Sequence, residues 1–338
     1  MKERFLAGAG AALAVLVIPL GILGMGSRET ASEGQASVVL PTQTIQETLP
    51  AATEEARKVT AIVVHQTAQE PGYDEGTLVT VELDGTEQEL TLSEYLCGVL
   101  MGEMPASFPL EALKAQAVAA RTYTLQRMEA GGVLSDDPAE CQAYCDPATA
   151  QEKFGDQWEE YLAKLQQAVS ETDGQVMTYD GELISATYFS CSGGKTESAQ
   201  AVWGGEVPYL ISVDSPGEED ASSYESTGTV DMETFLETLG ISEPGVGEIT
   251  YTDGGGVDTI EIGGTIFQGT ELRELFGLRS TIFSMEISAD AVTFLVYGYG
   301  HRVGMSQYGA KAMAEEGSSY EEILTWYYTG AELTDVSQ

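Results

Sequence analysis

Hydrophobic and polar positions follow three regimes along this chain. From Phe5 to Met25 there is no charged residue and most side chains are apolar, a run long enough to cross a hydrocarbon core of roughly 30 Å at about 1.5 Å per helical residue. Lys2 and Arg4 precede it, so positive charge predicts residues 1–4 in the cytoplasm and the remainder outside. No Ala-x-Ala cleavage site stands out, which favours a retained anchor over a cleaved signal. Over 26–58, Ser, Thr, Glu, Gln, Ala and Pro dominate and aromatic residues are absent, the composition of a flexible spacer. Alternation then begins at 59–65 and again at 78–92, where Val79, Val81 and Leu83 share one face. That pattern predicts two strands opening a folded body over 59–334. His65, among polar neighbours, reads as a surface histidine.

The period then lengthens. Ser93 is placed to cap a helix through Glu94, Tyr95, Leu96 and Val99, and Pro105 disfavours helical geometry at Met104. Glu103 therefore falls in the last turn. Pro109 suits the start of a second helix running to Glu129, with Gly131 and Gly132 as its stop. Along it Lys114, Ala117, Val118, Arg121 and Leu125 make one stripe, and Leu113, Gln116, Ala120 and Tyr123 an adjoining one. The many alanines imply a close neighbour. Ser185 to Phe189 alternate as a strand and lead into Ser190-Cys191-Ser192-Gly193-Gly194-Lys195, a hydroxyl-rich turn whose backbone N–H groups can meet ligand oxygens. Near the end, 292–299 reads as a strand, Gly298, Gly300 and Gly304 as a backbone open to a ligand, and 307–315 as a short helix. Over 231–287 strands alternate with few helices, which predicts a subdomain within an α+β body.

Charge narrows the function. The chain carries 54 acidic and 15 basic side chains among 338 residues, a formal net charge of −39. Binding to phosphate backbones depends on Lys and Arg, so nucleic acid is excluded as a partner. Glu103 is the candidate catalytic group. It sits at the unfavourable end of a helix dipole with Leu100, Met101, Met104 and Phe108 around it, and both effects disfavour the charged carboxylate, as a general acid requires. The bland reading of Glu103 is a solvated glutamate near a helix end, and that of Arg121 is a structural partner for a carboxylate.

Taken together, 95–123, the Ser190 to Glu197 turn with Val202-Trp203-Gly204 and Pro208-Tyr209-Leu210, Gly269-Thr270-Glu271-Leu272-Arg273 with Leu278-Arg279-Ser280 and Phe283, and 298–328 resemble the stage II sporulation protein D family. The resemblance implies a membrane-anchored lytic transglycosylase that cuts peptidoglycan between N-acetylmuramic acid and N-acetylglucosamine and prefers strands stripped of stem peptides. It places the catalytic glutamate of a Glu-Met-Pro motif on Glu103, and other cleft motifs on Arg121, Ser190, Ser192, Tyr299, His301 and Gln307. Gln116, Arg121, Ser190, Ser192 and Gly193 are then expected to position sugar hydroxyls and N-acetyl groups. Trp203, Tyr188 or Tyr299 is expected to offer a ring to a sugar face. It further implies septal wall remodelling during engulfment of the forespore, alongside a peptidoglycan amidase and other membrane proteins. Arg302 departs from the family, whose motif usually has glycine there, so a positive φ at that position would strain this chain.

A single carboxylate suffices for such a reaction. Hydrolytic glycosidases use two, whereas attack by the muramic acid C6 hydroxyl is intramolecular and gains a large effective molarity. Glu103 would protonate the glycosidic oxygen and then take the C6 hydroxyl proton, leaving a 1,6-anhydro end. No cofactor is required.

Four cysteines remain: Cys97, Cys141, Cys145 and Cys191. An exported domain permits disulfides, and Cys141 and Cys145 can pair if the chain turns between them. They can equally bind zinc, since some family members carry a His/Cys zinc site in this region, but the histidines expected beside Cys141 are absent. Cys97 reads as a core residue. Two further classes stay open: a wall amidase or peptidase using Cys191 and His301 as nucleophile and base, and a non-catalytic glycan-binding scaffold.

Overall fold

The computed structural model describes residues 71–138 and 140–336. The expected anchor at 5–25, the spacer at 26–58 and the strand at 59–65 lie outside the described residues. Among the described residues no helix is long and apolar enough to cross a membrane.

The body is mixed α+β. Its first strand, Leu78–Leu83, buries Val79, Val81 and Leu83 on one face. The single strand expected over 78–92 is in fact a hairpin, because Asp84 and Gly85 both take positive φ, 49° and 72°. An Asp-Gly pair in that conformation is a two-residue hairpin turn, and it returns the chain along Thr86–Thr91, with Val81 opposite Gln88. Thr91, rather than Ser93, caps the next helix: its side chain accepts the Glu94 N–H while Glu94 accepts the Thr91 N–H. That reciprocal capping box fixes the start of the helix Leu92–Glu103.

The helix Leu110–Glu129 is the centre of the fold. Every residue from Ala112 to Leu125 except Lys114 is buried, so the two predicted stripes are parts of a helix enclosed on all sides. Helices Leu92–Glu103, Trp158–Ser170, Gln307–Glu315 and Tyr320–Tyr327, and the strand Gln175–Tyr179, all pack on it. Alanines at 112, 115, 117, 119 and 120 let these neighbours approach closely. The strand Gln175–Tyr179 lies between Glu332–Asp335 and Glu182–Leu183.

A second, separate hydrophobic cluster includes Phe235, Ile260, Leu272, Phe283 and Phe294. It is enclosed by two antiparallel three-stranded sheets: Val246–Tyr251, Val257–Ile262 and Thr265–Gln268 in one, and Ile282–Ile287, Ala291–Tyr297 and Glu225–Asp231 in the other. This unit runs from 225 to 297, wider than the 231–287 read from sequence, because its edge strand Glu225–Asp231 pairs with Ala291–Tyr297.

Arg302 joins this unit to the chain around 192–197. Its guanidinium is fully buried and donates to the carbonyls of Ser192, Lys195 and Gly254 at 2.7, 2.7 and 2.6 Å, and to Glu197 Oε1 at 3.1 Å. Arg302 has φ +66°, so the strain expected of a non-glycine residue there is present. Four hydrogen bonds to carbonyls and a carboxylate hold it there.

Candidate active site

Glu103 ends its helix where Met104 turns to extended geometry, as the proline at 105 demands. Its carboxyl is buried, at 9% exposure. The Ala143 N–H donates to Oε1 at 2.7 Å, and the Gln307 amide approaches Oε2 at 3.4 Å. Burial pushes its pKa up to about 7, against the Ala143 N–H, the Gln307 amide and the Tyr188 hydroxyl, which favour the charged form. It lines a small pocket of about 10 Å³ with Tyr123, Cys141, Gln142, Thr187 and Tyr188, and among the described residues it is the one carboxylate there.

The surroundings are built from distant segments. Gly98 and Gly102 leave the helix surface bare, and residues 143–145 lie directly on it: the Cys145 N–H donates to the Gly98 carbonyl at 3.0 Å, and a Cβ on Gly102 would come within 2.8 Å of the Ala143 carbonyl oxygen. The same close packing delivers the Ala143 N–H to Glu103. Tyr188 donates to Gln142 Oε1 at 2.8 Å, Gln142 Nε2 donates to Thr124 Oγ1 at 2.9 Å, and Thr124 donates to the Ala120 carbonyl at 2.8 Å. That chain of bonds ties the cavity to the central helix. Tyr188 belongs to the short strand Tyr188–Phe189, parallel to Met305–Ser306. Ser306 caps the helix Gln307–Glu315, and this brings Gln307 opposite Glu103.

Of the residues expected at the site, Glu103, Tyr188 and Gln307 come together. Arg121 does not. Its guanidinium is fully buried and is held by Asp74 at 2.8 Å and the Gln175 carbonyl at 3.1 Å, so it is a structural partner and not a substrate contact. Gln116 is wholly enclosed, and among the described residues neither side-chain polar atom has a hydrogen-bond partner. Ser192 is likewise buried, and its N–H and hydroxyl are both spent on Glu218, at 2.6 and 2.9 Å. Gly193, at φ +74°, lets that turn pass Gly298, and the Ser190 carbonyl accepts the Tyr308 N–H at 3.0 Å. The expected ligand cradle at 190–194 is therefore a buttress under the Gln307 helix. Glu218, which organises it, carries no local motif, and its role arises only when three distant segments fold together.

His301 packs between Phe189 and Trp203, with ring centroids 5.6 and 5.3 Å away. Its Nδ1 accepts the Val303 N–H at 3.1 Å. Burial, aided by the charge of Arg273, pushes its pKa down to about 3 against the pull of the Tyr188 carbonyl, so the ring is neutral. Among the described residues no hydrogen bond of ordinary geometry reaches Nε2. Arg279 lies over the Tyr299 ring at 5.1 Å.

All four cysteines are free. Cys97 is half-buried against the core. Cys141 lies near the Tyr95 hydroxyl, and Cys145 faces the Asp146 carbonyl. They are not paired. Among the described residues no three His, Cys, Asp or Glu side chains gather as metal ligands, so the donors for a zinc ion are not assembled at 141–145. The Cys191 thiol donates to Glu218 at 3.0 Å, and burial together with that carboxylate pushes its pKa far up. A thiol held in that way is not a nucleophile, and His301 is packed against aromatic rings, not the sulfur.

The Stage II sporulation protein family model matches residues 85–179, which span the Glu103 helix, the central helix and the 141–145 segment. Stage II sporulation protein D of Bacillus subtilis is 39% identical over 259 residues, covering 73% of this chain and 76% of the relative. Its counterpart in Bacillus amyloliquefaciens is 39% identical over the same length, covering 73% and 75%. The amidase enhancer of Bacillus subtilis is 31% identical over 300 residues, or 71% of this chain and 40% of that protein. The chain belongs to the stage II sporulation protein D family.

Proposed function

We propose that this protein is a peptidoglycan lytic transglycosylase in which Glu103 serves first as acid and then as base. The observation that carries this reading is one buried carboxyl, unaccompanied by a second carboxylate in its cavity, whose pKa is pushed up to about 7. At neutral pH such a group is partly protonated, so it can donate to a glycosidic oxygen and then accept a proton. With no second carboxylate in the pocket among the described residues to activate water, the muramic acid C6 hydroxyl is the internal nucleophile, and the product is a 1,6-anhydro end.

The Ala143 N–H fixes Oε1 and leaves Oε2, with its longer contact to Gln307, as the oxygen that exchanges the proton. Tyr188 lines the pocket beside the carboxyl, its hydroxyl proton donated to Gln142. Trp203 and Tyr299, each half-buried, supply apolar faces for sugar rings. The names of the relatives, one a sporulation protein and one an amidase enhancer, favour a wall substrate prepared by an amidase in the engulfing septum, with the chain anchored at the membrane through 5–25. The test is product analysis on amidase-treated glycan with the parent protein and Glu103→Gln: anhydro ends from the parent alone support the reading, and equal yields from both overturn it. A glycan-binding scaffold would yield no new ends from either.

A further inference from the structure

Arg273 and Arg279 flank Tyr299. The Arg279 guanidinium lies 5.1 Å from the Tyr299 ring centroid, and the Arg279 carbonyl accepts the Gly300 N–H at 2.9 Å, which holds the two segments side by side. The charge of Arg273 acts on both Tyr299 and His301, so these four side chains are neighbours. Among the described residues, the ion pairs engage Lys114, Arg121, Arg302 and Lys311. Neither Arg273 nor Arg279 is in one. With 54 acidic side chains for 15 basic ones, carboxylates are in excess everywhere, and two adjacent arginines without one stand out.

Among the described residues, two buried nitrogens on this cluster also lack a hydrogen bond of ordinary geometry, Arg273 Nε and His301 Nε2. Because His301 Nδ1 accepts the Val303 N–H, the neutral ring carries its proton on Nε2, which is drawn toward the Tyr188 carbonyl without an ordinary hydrogen bond, so both atoms are donors. A buried donor without an acceptor is destabilising, and a pair of them beside an exposed guanidinium calls for an anion with several acceptor positions. The cluster adjoins the catalytic cavity through Tyr188, whose carbonyl acts on His301 while its side chain acts on Glu103.

We propose that Arg273, Arg279 and His301 form a carboxylate-binding subsite beside Glu103, and that it takes the lactyl carboxylate of a muramic acid residue freed of its stem peptide. This rests on the reading of glycan as substrate. A denuded strand is a polyanion, and a chain of net charge −39 repels it unless cations are placed where it must lie. An intact stem peptide converts the same carboxylate into a neutral, bulkier amide. The amide keeps one acceptor but loses the charge-assisted, bidentate bonds that arginine gives a carboxylate. The subsite thus distinguishes denuded from peptide-bearing strands by charge.

The test measures binding apart from cleavage. Glu103→Gln protein is titrated with fluorescent denuded glycan oligomers whose lactyl carboxylates are either free or converted to methylamides. The expected result is a dissociation constant about ten- to one-hundred-fold lower for the free acid, as expected for losing hydrogen bonds to a charged group, with the gap narrowing as salt rises. Arg279→Gln, a substitution at an exposed position, should shrink the gap, and Arg273→Gln with Arg279→Gln should abolish it while the methylamide binds as before. Equal affinity of the parent for acid and methylamide overturns the subsite, as does a double variant that keeps the discrimination. Because binding is read without turnover, loss of the transglycosylase reading and loss of the subsite are separate outcomes.

Discussion

The Ala143 N–H meets Glu103 Oε1 at 2.7 Å, and Gly102 is what lets these two residues approach. Replacing it should be read in both chemistry and stability. A Gly→Ala change inside a helix is worth about 1 kcal/mol of propensity, but here the added Cβ would stand 2.8 Å from the Ala143 carbonyl oxygen, so residues 143–145 must shift and draw the N–H away from Glu103. Gly102→Ala is expected to lower kcat/KM by roughly ten- to one-hundred-fold, the usual effect of misplacing a catalytic group by a fraction of an ångström to one ångström. Its thermal midpoint should also fall, because the clash is with backbone and overpacking of this kind costs about 1–3 kcal/mol, more than the propensity gain offsets. Glycan turnover and a melting curve measure both.

Glu103 also fixes a pH dependence. Its folded pKa of about 7 lies above the ordinary 4.5, so folding favours the protonated form. That contribution is fully present below about pH 4.5 and is lost as pH rises through 7, amounting to roughly 3 kcal/mol if the whole shift counts. Because the acid is the reactive form in the first step, kcat/KM should hold level below about pH 7 and fall above it. Glu103→Gln should remove the stability loss between pH 4.5 and 8. Urea unfolding of both proteins at the two pH values checks it, and an equal loss in the variant would assign the effect to another group.

Arg121 gives the opposite expectation. Its partner Asp74 is 2% exposed, and removing the guanidinium strands a buried carboxylate. Arg121→Met should lower stability by about 3–5 kcal/mol. Protein that remains folded at low temperature should keep its KM for glycan, whereas a large KM increase at unchanged stability would return Arg121 to the substrate.

Arg302 sets strain against pairing. Glycine would relieve about 1–2 kcal/mol of left-handed strain, yet it would leave Glu197, 1% exposed, without its cation. Arg302→Gly is therefore expected to be destabilising by a net few kcal/mol, as measured by urea unfolding. A stabilised variant would show that strain outweighs the ion pair.

Local signals in the sequence carried much of this. Pro105 and Pro109 set the boundary between the two helices at 92–103 and 110–129, because proline acts within a few residues. Asp84-Gly85 was legible as a hairpin turn but lay inside an alternating run that reads equally as one strand. The roles of Arg121, Ser192 and Arg302 were not legible. Each is set by a carboxylate far along the chain, Asp74, Glu218 and Glu197, and no spacing rule reports such partners. The same holds for Ala143, which contributes only a backbone N–H. The burial and raised pKa of Glu103 were readable because a helix end and apolar neighbours are local signals.

The most direct measurement is mass spectrometry of the material released from purified, amidase-treated sacculi by the parent protein and by Glu103→Gln. The parent should release 1,6-anhydromuramyl products, and the variant should fall by about 10²- to 10⁴-fold, the usual share of a general acid or base, with its fold intact by circular dichroism. Anhydro products at the parental rate from Glu103→Gln, or reducing ends in place of anhydro ends from the parent, would contradict the assignment of Glu103 as the single acid and base.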